Sequence, residues 1–178
     1  MTATEPQVGI ILGSGSDWPQ VAAAAQLLHH WGVAYEVTVA SAHRSPARVQ
    51  NYARQASARG LKVLIAAAGA AAHLAGVIAS ETILPVIGVP LAGSPLQGWD
   101  SLLATAQMPA GVPVAAMAVG TAGARNAAIL ATQILALSDE RLRDILIRHK
   151  QDLVSRIEEQ DAQLQAELAH SGLTGKAD

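Results

Sequence analysis

The sequence contains no cysteine and no phenylalanine, and aromatic residues make up only 3% of it. Without thiols there can be no disulfide, no thiolate nucleophile, no cysteine-ligated zinc and no iron–sulfur cluster. With so few rings, the core must come from small aliphatic side chains, and much of the 51% hydrophobic content is alanine. Charge is sparse as well: 15% of residues are charged, the net charge is −2, and no basic stripe suited to nucleic acid or a membrane surface stands out. Apolar runs are short of the roughly 18 uncharged residues a membrane span needs. The stretch from Ile65 to Ile78 is broken by Gly69, His73 and Gly76. Met1 to Gln7 lacks the basic and apolar regions of a signal peptide. No His, Asp and Glu group has metal-ligand spacing, so no metal is expected. The expectation is a soluble cytoplasmic protein, one domain over 1–178, with neither nucleic acid nor membrane as partner.

What is present is an alternation of strands and helices. Val8 to Leu12 is a continuous apolar run, the mark of a strand buried on both faces. Pro19 opens a helix that Gly32 ends. Further strands are predicted over Ala34–Val39, Val63–Ala67, Val86–Val89 and Val112–Val119. Helices are predicted over about Pro46–Ala58, from His73 to about Glu81, over Trp99–Ala106, and from Gly123 to near Leu137. Ser138 is a candidate N-cap for a last helix over about 139–168, and the tail from His170 is expected to fray. Five strands alternating with helices predict a three-layer α/β/α, flavodoxin-like fold with a parallel sheet of order 2-1-3-4-5. The core then spans 8–137. The last helix carries Ile145, Leu146, Leu153, Ile157 and Leu164 at helical spacing. It is too long to lie wholly on so small a domain, which makes it a segment for docking on neighbouring subunits.

That strand order has its switch point between strands one and three, where ligands bind in open α/β sheets. Three loops would meet there: Gly13–Asp17, Ser41–Arg44 and Gly69–Leu74. The first offers backbone N–H groups and hydroxyls at a helix start, an anion-binding arrangement. It is neither a Walker loop nor a GxGxxG fingerprint, because no Lys-Ser/Thr pair follows and Trp18 stands where the last glycine would be. Ser14, Ser16 and Arg44 are suited to a phosphate. Asp17 would repel one, and suits sugar hydroxyls or the helix cap instead. His43 is the one side chain of the second loop able to give and take a proton near neutral pH. The third loop is small and apolar, so backbone can approach a ligand in a dry pocket. His29, His30, His149 and His170 receive no role.

The motifs GSGSDW (13–18), SAHRSP (41–46), AAHLAG (71–76), GWDSL (98–102), QMPAGVPV (107–114) and AGARNAAILA (122–131) resemble, in order and spacing, those of the class I N5-carboxyaminoimidazole ribonucleotide mutases of purine biosynthesis. The related class II carboxylases, which use carbon dioxide directly, carry lysine after the histidine, so Arg44 matches class I. The resemblance implies a flavodoxin-like octamer without metal or organic cofactor. It implies transfer of a carboxylate from the exocyclic nitrogen of an imidazole ribonucleotide to ring carbon 4. His43 would be the general acid/base. Ser14, Asp17 and Arg44 would hold the ribose phosphate, with Ser16, Ser41, Ala42, Gly69 and Ala70 lining the site and His73 close by. Ala67, Ala70, Ala75, Gly93 and Pro95 depart from the family pattern. An alanine where the backbone needs positive φ costs on the order of 1 kcal/mol. Alternatives are a weakened paralogue that only binds such a ribonucleotide, a direct aminoimidazole ribonucleotide carboxylase, or a flavodoxin-type carrier with Trp18 and Trp99 against a flavin.

Overall fold

The computed structural model describes residues 5–173. The sequence readings made on Met1 to Thr4 and on the tail beyond Leu173 lie outside the described residues. β1 (Val8–Leu12) lies between β2 (Tyr35–Val39) and β3 (Val63–Gly69), and β4 (Val86–Leu91) and β5 (Ala115–Ala116) continue the sheet beyond β3. Every pairing is parallel and the order is β2-β1-β3-β4-β5, as expected. Six helices connect and follow the strands: α1 (Trp18–His30), α2 (Pro46–Ala56), α3 (Leu74–Ala79), α4 (Trp99–Ala106), α5 (Thr121–Leu135) and α6 (Glu140–Ser171).

The sheet's inner strands β1, β3 and β4 are covered on both faces and read as apolar runs, whereas the edge strand β2 carries Glu36 and Thr38 and leaves Val37 and Val39 exposed. On one face Ile10, Leu12, Ile65, Ile87 and Val89 pack against α1, α5 and the start of α6. On the other, Ile11, Leu64 and Ala66 pack against α2 and α3. Alanine does much of the filling, as Ala24, Ala124, Ala127, Ala128 and Ala131 bring α1 and α5 down onto the strands. Gly88 has the same purpose on the opposite face, since a side chain there would collide with Thr105 of α4.

The largest departure from expectation is β5. An eight-residue strand over Val112–Val119 was predicted, but only Ala115 and Ala116 pair regularly. Pro113 has no N–H to donate and stands at the sheet's edge, where such a residue is tolerated but ends the ladder. Isolated bonds, Met117 N–H to Gly88 O and Gly120 N–H to Pro90 O (both 2.9 Å), extend the contact without restoring the strand. β3 and β4 run two residues longer than predicted, to Gly69 and Leu91, and so carry their loops further out. Asp139, not Ser138, caps α6, its carboxylate accepting from the Leu142 amide at 3.1 Å. The helix holds to Ser171 before Gly172 turns it off in a left-handed conformation, so fraying does not begin at His170.

α6 has 32 residues and is about 48 Å long. Leu142 is its one buried residue, and from Lys150 to Glu167 every side chain is exposed. Leu153, Ile157 and Leu164 form an apolar stripe along that exposed part, with Ile157 64% accessible. Charge is divided along it too: Arg156 is the last basic residue, and Glu158, Glu159, Asp161 and Glu167 follow.

Candidate active site

The carboxyl ends of β1, β2, β3 and β4 open into one cleft of about 540 Å³. It is lined by Gly13, Ser14, Ser16 and Asp17 after β1, by Ser41, Ala42, His43 and Arg44 after β2, and by Gly69 and Ala70 at the end of β3. The structure therefore brings together nine of the ten site residues expected from sequence. The tenth, His73, lines the adjoining hollow with Gly76, Val77 and Met108 and reaches His43 from there.

The first loop is a short 3-10 turn, Gly15–Asp17, that leads into α1. Ser14 caps it: its hydroxyl accepts from the Ser16 amide at 3.3 Å, and its own amide donates to Asp17 Oδ2 at 2.8 Å. Asp17 thus performs a capping duty through one oxygen, and the second remains for a ligand. Burial pushes its carboxyl above the usual carboxylate range, partly offset by the Ser14 amide and by the Arg44 charge. The Ser14 and Ser16 hydroxyls are 2.8 Å apart and share a hydrogen bond at the rim.

Arg44 joins the second loop to the first. Its Nη2 donates to the Gly13 carbonyl at 2.8 Å, and its Nε lies 3.4 Å from Ser41 Oγ. A guanidinium has five N–H donors in a rigid plane, so these bonds orient the rest of the fork. The turn beneath is held by Ser45 Oγ, which accepts from the Ser41 amide at 2.9 Å.

His43 Nε2 and His73 Nδ1 are 2.9 Å apart, with the rings nearly perpendicular. One nitrogen must donate and the other accept. The contact holds the His43 ring against His73 through Nε2 and leaves Nδ1 of His43 without a partner among the described residues.

The third loop contains the predicted strain. Ala70 adopts φ of +51°, a left-handed conformation. Two successive tight turns follow, with the Ala72 amide donating to the Ala70 carbonyl and the His73 amide to the Ala71 carbonyl, both at 2.8 Å. They swing the chain into α3 and deliver His73 to His43. Ala67 and Ala75 have ordinary geometry inside β3 and α3.

Two features escaped the sequence reading. Gln20 lines the cleft, and its Nε2 donates to the Ala92 carbonyl at 2.8 Å, tying α1 to the loop after β4. Leu91, Ala92 and Gly93 form the wall on that side. A glutamine in an exposed first turn carries no signal of its own, and the β4 loop enters only because β4 runs past Pro90. The dry pocket expected from the third loop is not closed in a single chain: His43, Arg44, Ala70 and His73 are all exposed. Among the described residues, no three His, Asp or Glu side chains gather as metal ligands would, and no helix is long and apolar enough to cross a membrane.

Comparison with known proteins agrees with this geometry. Residues 7–156 match the family model described as AIR carboxylase. The N5-carboxyaminoimidazole ribonucleotide mutase of Pyrococcus horikoshii is 48% identical over 165 residues, covering 93% of this chain and 92% of that protein. The protein of the same name from Mycobacterium leprae is 50% identical over 161 residues, covering 90% and 93%. Among solved structures, Treponema denticola PurE aligns with a TM-score of 0.80 at 26% identity, over 89% of this chain and 98% of that one.

Proposed function

The chain belongs to the AIR carboxylase family, and from that membership we propose that it is an N5-carboxyaminoimidazole ribonucleotide mutase. It moves a carboxylate from the exocyclic nitrogen of the imidazole ribonucleotide to ring carbon 4, in the synthesis of purines. The observation that carries the reading is the arrangement around His43, which stands at the end of β2 over an anion-binding turn, with a second imidazole 2.9 Å away.

In this proposal the ribose phosphate is held by Arg44 and by the Ser14 and Ser16 hydroxyls, and the free oxygen of Asp17 accepts from a ribose hydroxyl. Ser41, Ala42, Gly69 and Ala70 form the walls around the imidazole ring. The grip fixes the ring over His43 and supplies the positional part of catalysis. His43, its ring held by His73, protonates the exocyclic nitrogen. The bond from nitrogen to the carboxylate breaks, its electron pair stays on nitrogen, and carbon dioxide is released. Carbon 4 attacks that carbon dioxide, and the proton it must then lose returns to His43. One proton is lent and recovered, and atoms balance with no metal, cofactor or ATP in the sequence of steps.

Carbon dioxide must be kept from escaping between the two halves, and a single chain leaves the cleft open. We therefore include assembly in the proposal: copies associate through α6 into a homo-oligomer, an octamer by family resemblance, in which the cleft is better enclosed. A cytoplasmic location suits an enzyme of this pathway. The test is to offer the purified protein the N5-carboxylated ribonucleotide and follow imidazole absorbance with neither ATP nor metal. Turnover is expected. No turnover, combined with retained binding, would reduce the chain to a ribonucleotide binder. Turnover only from the uncarboxylated ribonucleotide with carbon dioxide would make it a direct carboxylase.

A further inference from the structure

At the far end of α1 from the β-strand cleft lies a second cleft, of about 620 Å³. Its walls come from three helices: Leu27 of α1 with Trp31 just past that helix's end, Arg125 of α5, and Arg148, His149 and Arg156 of α6. The α6 residues are spaced so that they share one helix face.

The cleft is cationic. Three guanidiniums line it against a single carboxylate, Asp152. Among the described residues none of the three is in an ion pair, the pairs found being Arg54–Glu81, Arg59–Glu36 and Arg141–Asp139. The carbonyls at the end of α1, which could otherwise compete for these arginines, are already occupied. Arg141 donates to Trp31 O at 2.9 Å and to Gly32 O at 3.4 Å. His149 reports the local field: burial and then the Lys150 charge hold its imidazole below the usual range, and Arg156 and Arg125 act in the same direction against Asp152. The floor is apolar, with the Trp31 ring edge-on to His149 at 5.2 Å between centroids. Uncompensated arginine forks above an apolar floor, in a volume typical of small-molecule sites, suit an organic phosphate.

We propose that this cleft binds a phosphorylated small molecule, its phosphate held by Arg125, Arg148 and Arg156 and its organic part resting on Leu27 and Trp31. The site is separate from the β-strand cleft, and the proposal stands whether or not the mutase reaction is demonstrated.

The test is calorimetric titration of the full chain with adenosine 5′-monophosphate as probe. It uses the R44A background, in which the phosphate grip of the first cleft is weakened. One molecule bound per chain is expected, with adenosine not binding. Adding R125Q and R148Q should weaken binding by about a hundredfold or more, the cost of losing two charged hydrogen bonds. R156Q alone should weaken it with the assembled mass unchanged by light scattering, which covers the case in which the double variant folds poorly. Absence of binding, binding unchanged in these variants, or equal binding of adenosine would each overturn the proposal. So would a change in assembled mass by light scattering in R125Q/R148Q without probe binding, since the arginines would then face another copy of the chain.

Discussion

Replacing Ala70 with glycine should stabilise the protein. An L-residue in the left-handed region loses roughly 1–2 kcal/mol to contact between its Cβ and the following carbonyl, and Ala70 is held at φ of +51°. Its side chain is exposed, so glycine forfeits little packing. Against the gain stands the extra freedom of glycine in the unfolded chain, worth about 0.4–1 kcal/mol. The net gain is about 0.5–1 kcal/mol per chain. For a chain of this size that corresponds to a rise of about 1–4 °C in melting temperature. Urea titration and thermal melting of A70G beside the unaltered protein, at equal protein concentration, measure it. Turnover at saturating substrate should not change, because glycine keeps the same backbone path to His73. An unchanged or lowered midpoint would refute the claim that the third loop is strained. A higher midpoint with lost turnover would mean that the Cβ itself takes part in the site.

His43→Asn should fold and assemble normally while carboxylate transfer is lost; measurable turnover by this variant would remove His43 from its assigned role. Arg44→Ala should weaken ribonucleotide binding about tenfold or more by calorimetry, because it removes charged hydrogen bonds to the phosphate. Deleting the chain from Glu140 onward should reduce the assembled mass seen by light scattering, and an unchanged mass would contradict docking through α6. Glu36 should make stability depend on acid. Burial would raise its carboxyl, but hydrogen bonds from Arg59 (2.6 Å) and Tyr52 (2.7 Å) outweigh it and hold it below 4.5. A lowered carboxyl contributes stability that is present above the unfolded value and lost as pH falls through the folded one. Glu36→Gln should therefore flatten the fall in stability below about pH 4.5, as urea midpoints measured across that range would show.

The sheet was legible because parallel strands covered on both faces have only one way to look in sequence. Val8–Leu12 shows it with every residue buried. Strand order followed from alternation, and the switch point then put His43, Arg44 and the serine turn in one place. β5 was misjudged because its apolar residues continue past Pro113, and hydrophobicity alone does not register a missing N–H. The cap of α6 was misplaced by one residue because Ser138 and Asp139 are both good caps, and the choice lies in backbone angles. The His43–His73 contact depends on Ala70 taking a conformation that alanine seldom adopts. Residue type argues against that turn, so only coordinates reveal it. The bare helix was legible only as unspent apolar surface, Leu153, Ile157 and Leu164, because one chain's sequence does not say what covers it.

The uncovered length of α6 has a consequence for how the protein comes apart. An isolated helix in water is marginal without a tertiary face to lean on, and this one has almost none beyond Arg148 within its own chain. In the proposed assembly its order is tied to protein concentration, whereas the sheet is packed on both faces within one chain. In an assembly docked through α6, dilution is expected to melt the arm before the five-stranded body, giving two melting events by circular dichroism.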